Sequence, residues 1–159
     1  MSAVVGSAAV TFAAVLPALL VAHHVADHWV QTEHQAATKG RRDWTGRVAC
    51  AAHVTSYTAV TAGTVAVLWW ALGLAIDPMG FLLGQLVSAV THYWADRRHT
   101  LAWLARVAGS GRFYVLGAPR PGRDDNFSLG TGAYALDQSW HWAWLLIAAL
   151  LTATVGGTR

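Results

Sequence analysis

Three pairs of histidine and aspartate, His23/Asp27, His92/Asp96 and Asp137/His141, are spaced four residues apart inside stretches that are otherwise apolar. That spacing puts both side chains on one helix face, so each pair presents a nitrogen and an oxygen ligand in the same direction. A charged group in apolar surroundings is costly unless it is paired, hydrated or bound to a metal. The pattern predicts helices that turn their polar groups inward to a shared, buried site.

Composition narrows the class. Charged residues make up 12% and hydrophobic residues 55% of the 159, whereas a soluble domain carries roughly 25% charged residues. The mean hydropathy is +0.37, and a membrane protein is the expectation. A net charge of +3 would suggest nucleic acid in a soluble protein, but here the basic residues cluster in two connecting segments. In a membrane protein such clustering reports orientation. Dedicated nucleic-acid binding is not expected, because the arginines lack interleaved stacking aromatics. Cys50 is the single cysteine, which excludes an intramolecular disulfide and reads as a small residue in an apolar helix.

Four segments can cross a hydrocarbon core that needs roughly 20 helical residues: about 8–30, 48–76, 79–95 and 134–155. The first lacks a basic leader and runs straight into His23, His24, Asp27 and Gln31. It therefore reads as a retained span and not a cleaved signal, with Pro17 able to kink it. Short connections make consecutive helices antiparallel neighbours, which predicts an all-α, integral membrane four-helix bundle forming one domain over residues 1–159. Lys39, Arg41, Arg42 and Arg47 lie between spans one and two. Arg97, Arg98, Arg106, Arg112, Arg120 and Arg123 lie between spans three and four. Both groups should face the cytoplasm, leaving both termini outside, with only Arg159 in opposition. Within the connection 97–132, Thr100 to Val107 reads as a short amphipathic helix on the membrane surface. Gly109 to Gly132 reads as a loop that could fold over the cytoplasmic mouth. Trp29, Trp44, Trp94, Trp140 and Trp142 fit an inner aromatic belt, and Trp69 with Trp70 an outer one.

Depth is decisive for the site. At 1.5 Å per residue, His23, Asp27, His53, His92, Asp96, Asp137 and His141 fall within roughly two turns of one membrane face. In the outer halves Thr11, Thr61, Thr64 and Thr152 are the most polar groups expected. Four imidazoles and three carboxylates exceed what one tetrahedral ion uses. They imply one or two divalent ions, Zn²⁺ foremost with Mn²⁺ or Fe²⁺ as alternatives, or one ion with an outer shell of oriented partners. Asp27, Asp96 and Asp137 are also the candidates for catalytic work. Gln31, Lys39, Arg97 and Gln138 are candidates for substrate contact, Lys39, Arg97 and Arg98 being placed to attract a phosphate or carboxylate. Each of these has a plainer reading, as interfacial residue, topology signal or lipid-headgroup contact. His24 and His28 form another four-residue pair turned about 100° from the first, His99 could reach the site from the mouth, and His34 sits in a loop.

These motifs resemble a family of small bacterial and phage-encoded integral membrane proteins catalogued as a domain of unknown function. Its pattern, read onto this chain, is His23, Asp27 and Gln31 with Lys39, then His53, then His92 and Asp96, then Asp137, Gln138 and His141. The resemblance implies a multi-pass protein of the bacterial inner membrane. The layout is also similar, more loosely, to bacterial membrane-bound metal-dependent hydrolases, from which the long Arg-rich segment and the doubled His23-His24 depart.

Three functions follow as expectations. The first is a membrane-embedded metal-dependent hydrolase at the cytoplasmic face, acting on an anionic phosphoester or lipid-linked substrate. The second is a metal-ion or proton-coupled carrier or channel, for which the outer halves offer no polar continuation unless a homo-oligomer supplies one. The third is a non-catalytic adaptor whose polar layer locks the bundle while its loops bind lipid or a protein.

Overall fold

The computed structural model describes residues 2–120, 122 and 131–156. Seven α-helices form, and no strand occurs among the described residues. Four are long: α1 (Ser2–Val25), α3 (Trp44–Leu72), α4 (Pro78–Asp96) and α7 (Gly132–Thr154). Three are short: α2 (Glu33–Thr38), α5 (His99–Val107) and α6 (Gly111–Tyr114). The long helices close a ring in which α1 packs on α3 and α7, and α4 packs on α3 and α7. The end of α1 meets the start of α3, the end of α4 and the start of α7, so neighbours run antiparallel.

Local chemistry sets the boundaries. Asp43 caps α3, its Oδ1 accepting from Gly46 N–H at 2.9 Å, so the helix starts four residues earlier than the expected 48. It stops at Leu72 and not 76, because Gly73 turns left-handed (φ 59°). Asp77 caps α4 through Met79 N–H at 2.8 Å with Pro78 in the first turn, where no N–H is required. Pro17 leaves α1 continuous. The irregularity comes later, as a π-helical turn at Ala26–Val30 closed by the Gln31 N–H to Ala26 carbonyl bond. The connection expected to be an open loop from Gly109 holds α6, and Gly132 N–H bonds Leu116 O at 2.7 Å. Residues 121 and 123–130 of it, Arg123 among them, lie outside the described residues, as does Arg159. Cys50 is buried, its thiol facing the Tyr93 carbonyl at 3.7 Å.

The core is apolar at one end and polar at the other. Val15, Leu19, Val65, Leu74, Ile76, Leu145, Ala148 and Ala149 pack together at the end remote from the His/Asp pairs. There α4 and α7 touch backbone to backbone. A Cβ on Gly84 would lie 2.8 Å from the Ala148 carbonyl, and one on Gly80 2.9 Å from those of Leu151 and Val155. Small residues at four-residue spacing (Gly80, Gly84, Ser88) permit this approach.

Between the two ends the expectation of an almost featureless outer half fails. Gln85 is buried and accepts from the Thr61 hydroxyl at 2.9 Å, and the Tyr57 and Ser88 hydroxyls meet at 2.8 Å. With His53 opposite His92, α3 and α4 thus face each other through three successive polar rungs. The signal was present in the sequence: 53, 57 and 61 share one face of α3, and 85, 88 and 92 share one face of α4.

One helix, spanning Ser7–Val30, is long and apolar enough to cross a membrane by length and composition. The inward polar groups of α3, α4 and α7 lower their mean hydropathy, while their outward faces carry exposed Val67, Trp70, Leu82, Leu86, Val90 and Leu150.

Candidate metal centre

The π turn carries Asp27 beneath His23, with Asp27 Oδ2 3.6 Å from His23 Nδ1 and Oδ1 turned toward α3 and α4. There it meets His53 Nε2 at 3.3 Å and His92 Nε2 at 3.4 Å. Asp96 Oδ2 closes the group, 3.2 Å from each of the same two nitrogens, which are themselves 3.0 Å apart. Two imidazole nitrogens and two carboxylate oxygens from three helices therefore converge at 3.0–3.4 Å. Asp27, His53 and His92 form one triangle of donor atoms with sides of 3.0–3.4 Å, and Asp96 forms a second on the same His53–His92 edge; sides of about 3.2 Å suit donors about 2.0 Å from one ion, the bond length Zn²⁺ makes to nitrogen and oxygen. Two ring protons and the Lys39 ammonium on Asp96 Oδ2 serve only part of this lone-pair set, whereas a cation among Asp27, His53 and His92 would satisfy three of the atoms at once. The group could bind a metal.

Ring packing fixes the imidazoles. Tyr57 stacks on His92 with centroids 3.8 Å apart, and His141 lies 4.2 Å from His92 on its other side. The Nδ1 atoms of His53 and His92 are buried and find no hydrogen-bond partner among the described residues.

A second constellation adjoins the first. His23, His92 and His141 bring one ligand nitrogen each within 4.8 Å of one another, as do Asp96, Asp137 and His141 with their ligand atoms. Gln138 orders this side. It donates Nε2–H to Asp137 Oδ2 at 3.3 Å, and its Oε1 accepts from His23 Nε2 at 3.2 Å. In a neutral His23 the lone pair is thereby placed on Nδ1, facing Asp27. His141 Nε2 lies 3.5 Å from Asp137 Oδ1 and has no hydrogen bond.

Of the predicted residues, His23, His53, His92, Asp96, His141 and Gln138 are buried together, and Asp27 lies beside them with a side chain 10% exposed. Asp137 is at the edge, 27% exposed. Lys39 is drawn into the site from the connection after α2, where a Thr32/Gln35 capping box starts the short helix. Its Nζ donates to Asp96 Oδ2 at 2.9 Å. Arg97 goes elsewhere. Its guanidinium donates to the carbonyls of Lys39 (2.8 Å) and Arg41, clamping the segment that carries Lys39. Arg98, at φ +55° between α4 and α5, donates to the Ala36 carbonyl at 2.9 Å.

A cleft of about 530 Å³ leads to the carboxylates, lined by Asp27, Lys39, Asp96, Asp137, Arg98 and Tyr114. Gln31 also lines it, its Nε2 buried without a described partner. Burial raises the Tyr114 hydroxyl above the ordinary tyrosine range, so at neutral pH it is a donor. His28 reaches the cleft, but His24 stacks on His28 and packs on Trp142. His99 and His34 face other concavities.

A buried site of this kind, set in an all-helical chain, defines a small His/Asp-centred bundle protein. The chain belongs to the family described as a protein of unknown function (DUF3307), which matches residues 15–158. No curated protein and no solved structure matches it, which leaves the looser likeness to membrane-bound hydrolases without support.

Proposed function

We propose that this chain is a multi-pass membrane protein that binds a divalent metal between Asp27, His53, His92 and Asp96 and hydrolyses an anionic phosphoester at the cytoplasmic face. The convergence of Asp27 Oδ1 and Asp96 Oδ2 on the His53–His92 nitrogen pair, at 3.2–3.4 Å, carries the reading. Zn²⁺ fits that spacing best, and the His23/His141/Asp137 side offers room for a second ion. The membrane placement draws on polarity inverted relative to a soluble bundle. Imidazoles, amides and hydroxyls are inside, Val, Leu and Trp outside, and no Asp, Glu, Lys or Arg occurs between 48 and 76, 78 and 95, or 138 and 156. Lys39, Arg41, Arg97 and Arg98 gather at the end where the cleft opens, which supports placing that end in the cytoplasm.

A bound ion would lower the pKa of water toward 7 and polarise the phosphoryl oxygen. The chain's own contribution is positional. Lys39 and Arg98 present cations to the substrate's oxygens, Gln31 offers its unpaired amide, and Asp137 is the carboxylate free to take the proton of attacking water as the P–O bond to the leaving alcohol breaks. The test is elemental analysis of detergent-purified protein together with turnover of a chromogenic phosphodiester. Between one and two equivalents of transition metal are expected, with Asp96→Asn losing both metal and turnover. Full metal content in a His92→Ala/Asp96→Asn double variant would overturn the reading.

The three polar rungs favour a second reading, a carrier that passes protons or metal ions. They continue inward polarity from His53/His92 through Tyr57/Ser88 to Thr61/Gln85. Ion flux in reconstituted vesicles that is abolished by His141→Ala, in the absence of phosphoester turnover, would select it.

A further inference from the structure

A second concavity, of about 640 Å³, lies outside the metal centre, between the start of α3, the end of α4 and the start of α5. Arg42, Arg47, Arg97 and Arg106 line it, with Trp94 and Trp103 as walls. No described acidic residue does. Arg97 is occupied with the Lys39 and Arg41 carbonyls, but Arg42, Arg47 and Arg106 are exposed and their guanidinium groups have no hydrogen-bond or ion-pair partner among the described residues. Guanidinium groups converging without a counter-charge repel one another, and an anion removes that cost.

Two further observations point to the same ligand charge. The first turn of α5 faces the concavity through His99 and Thr100, and that helix has neither a side-chain cap nor an acidic residue in its first turn. The His99 N–H is taken by the Arg97 carbonyl, but those of Thr100 and Leu101, with the positive dipole end, are left for an anion. His99 Nδ1 is also buried without a described partner. The helix buries Leu101 and Ala105 while exposing Trp103, Arg106 and Val107, the mixture of apolar and cationic groups that settles at a headgroup boundary.

We infer that this concavity binds the phosphate of an anionic phospholipid, and so is a lipid site separate from the metal centre. Planar guanidinium forks match phosphate oxygens in pairs, and Trp103 with Val107 favours a phosphate carried by lipid over one free in solution. The inference rests on the membrane reading above and does not involve the metal.

The test reconstitutes the full chain in nanodiscs holding equal amounts of an anionic and a zwitterionic phospholipid with matched acyl chains. Lipid retained on the protein is then counted by native mass spectrometry. Wild type should retain the anionic lipid selectively. Each basic residue near an anionic surface contributes about a fivefold factor, so Arg42→Gln/Arg47→Gln/Arg106→Gln should weaken retention about a hundredfold, with metal content unchanged. Should that variant fail to fold, Arg106→Gln alone should lose about fivefold. Equal retention of both lipids, or unaltered retention in the variants, overturns the inference. Displacement of the lipid by excess inorganic phosphate reassigns the site to a soluble anion and overturns the lipid source. Failure to enter bilayers of either composition overturns the membrane reading itself.

Discussion

Lys39 Nζ donates to Asp96 Oδ2 at 2.9 Å, tying the connection after α2 to the last residue of α4, and both side chains are almost fully buried. Removing one partner of a buried pair leaves an uncompensated charge, at a cost of about 3–5 kcal/mol. Lys39→Met should therefore lower the melting temperature sharply in chelator. A metal on Asp96 would replace the lost cation, so added Zn²⁺ should recover most of the loss. A deficit that is the same with and without metal would show that Asp96 is not a ligand.

Stripping the metal from wild-type protein should itself lower thermal stability. A ligand present at a hundred times its Kd stabilises by about 2.7 kcal/mol. Melting curves in chelator and after reloading with Zn²⁺, Mn²⁺ or Fe²⁺ check this and rank the ions, with Zn²⁺ expected to restore the most.

Gln138 makes no hydrogen bond to Asp27, His53, His92 or Asp96 but bonds both His23 Nε2 and Asp137 Oδ2. Gln138→Leu frees both groups to reorient. Partners of this kind are worth 10–100-fold in metal affinity, and a loss of about that size is expected in competition with a chromophoric chelator. Gln138→Glu, which keeps an acceptor for His23, should lose less.

Gly84 is where α4 and α7 come closest. Gly84→Ala inserts a methyl group against the Ala148 carbonyl and the Thr152 hydroxyl, which should destabilise the fold by about 1–3 kcal/mol. The site's metal stoichiometry should stay unchanged, because the contact is at the opposite end of the bundle. Detergent-solution melting and elemental analysis on the same sample separate the two effects.

Gln85→Leu separates the two functional readings. It breaks the Thr61 rung and does not touch the metal donors. A hydrolase should keep its turnover, while a carrier using the rungs should lose flux in vesicles.

Much of the site's layout was legible because helical periodicity turns spacing into direction. His23 with Asp27, and His92 with Asp96, share faces by count alone, and the depth arithmetic put His53 and His141 at the same level. The roles of the cations were less legible. Arg97 and Arg98 are adjacent in sequence, yet one clamps backbone carbonyls and the other borders the cleft. Between them the chain turns through a positive φ at Arg98, which no local residue preference announces. The polar rungs are less legible although their spacing is available, since Tyr57 and Ser88 become a pair only once α3 and α4 are known to face each other. Trp94 and Trp140, expected in an interfacial belt, stack on each other with centroids 4.6 Å apart, a pairing their spacing does not announce.

The π turn at Ala26–Val30 has one more consequence. A ring closed from residue i to i+5 holds one residue more than the α-helical ring. Deleting a single amino acid just after Asp27 would let the helix relax to its usual pitch and swing all that follows by about 100°. Gln31 and the strap bearing Lys39 would then leave the cleft with every ligand still intact. Among relatives of this chain, a one-residue gap at that point would mark proteins that keep the His/Asp cluster but have lost the cleft above it.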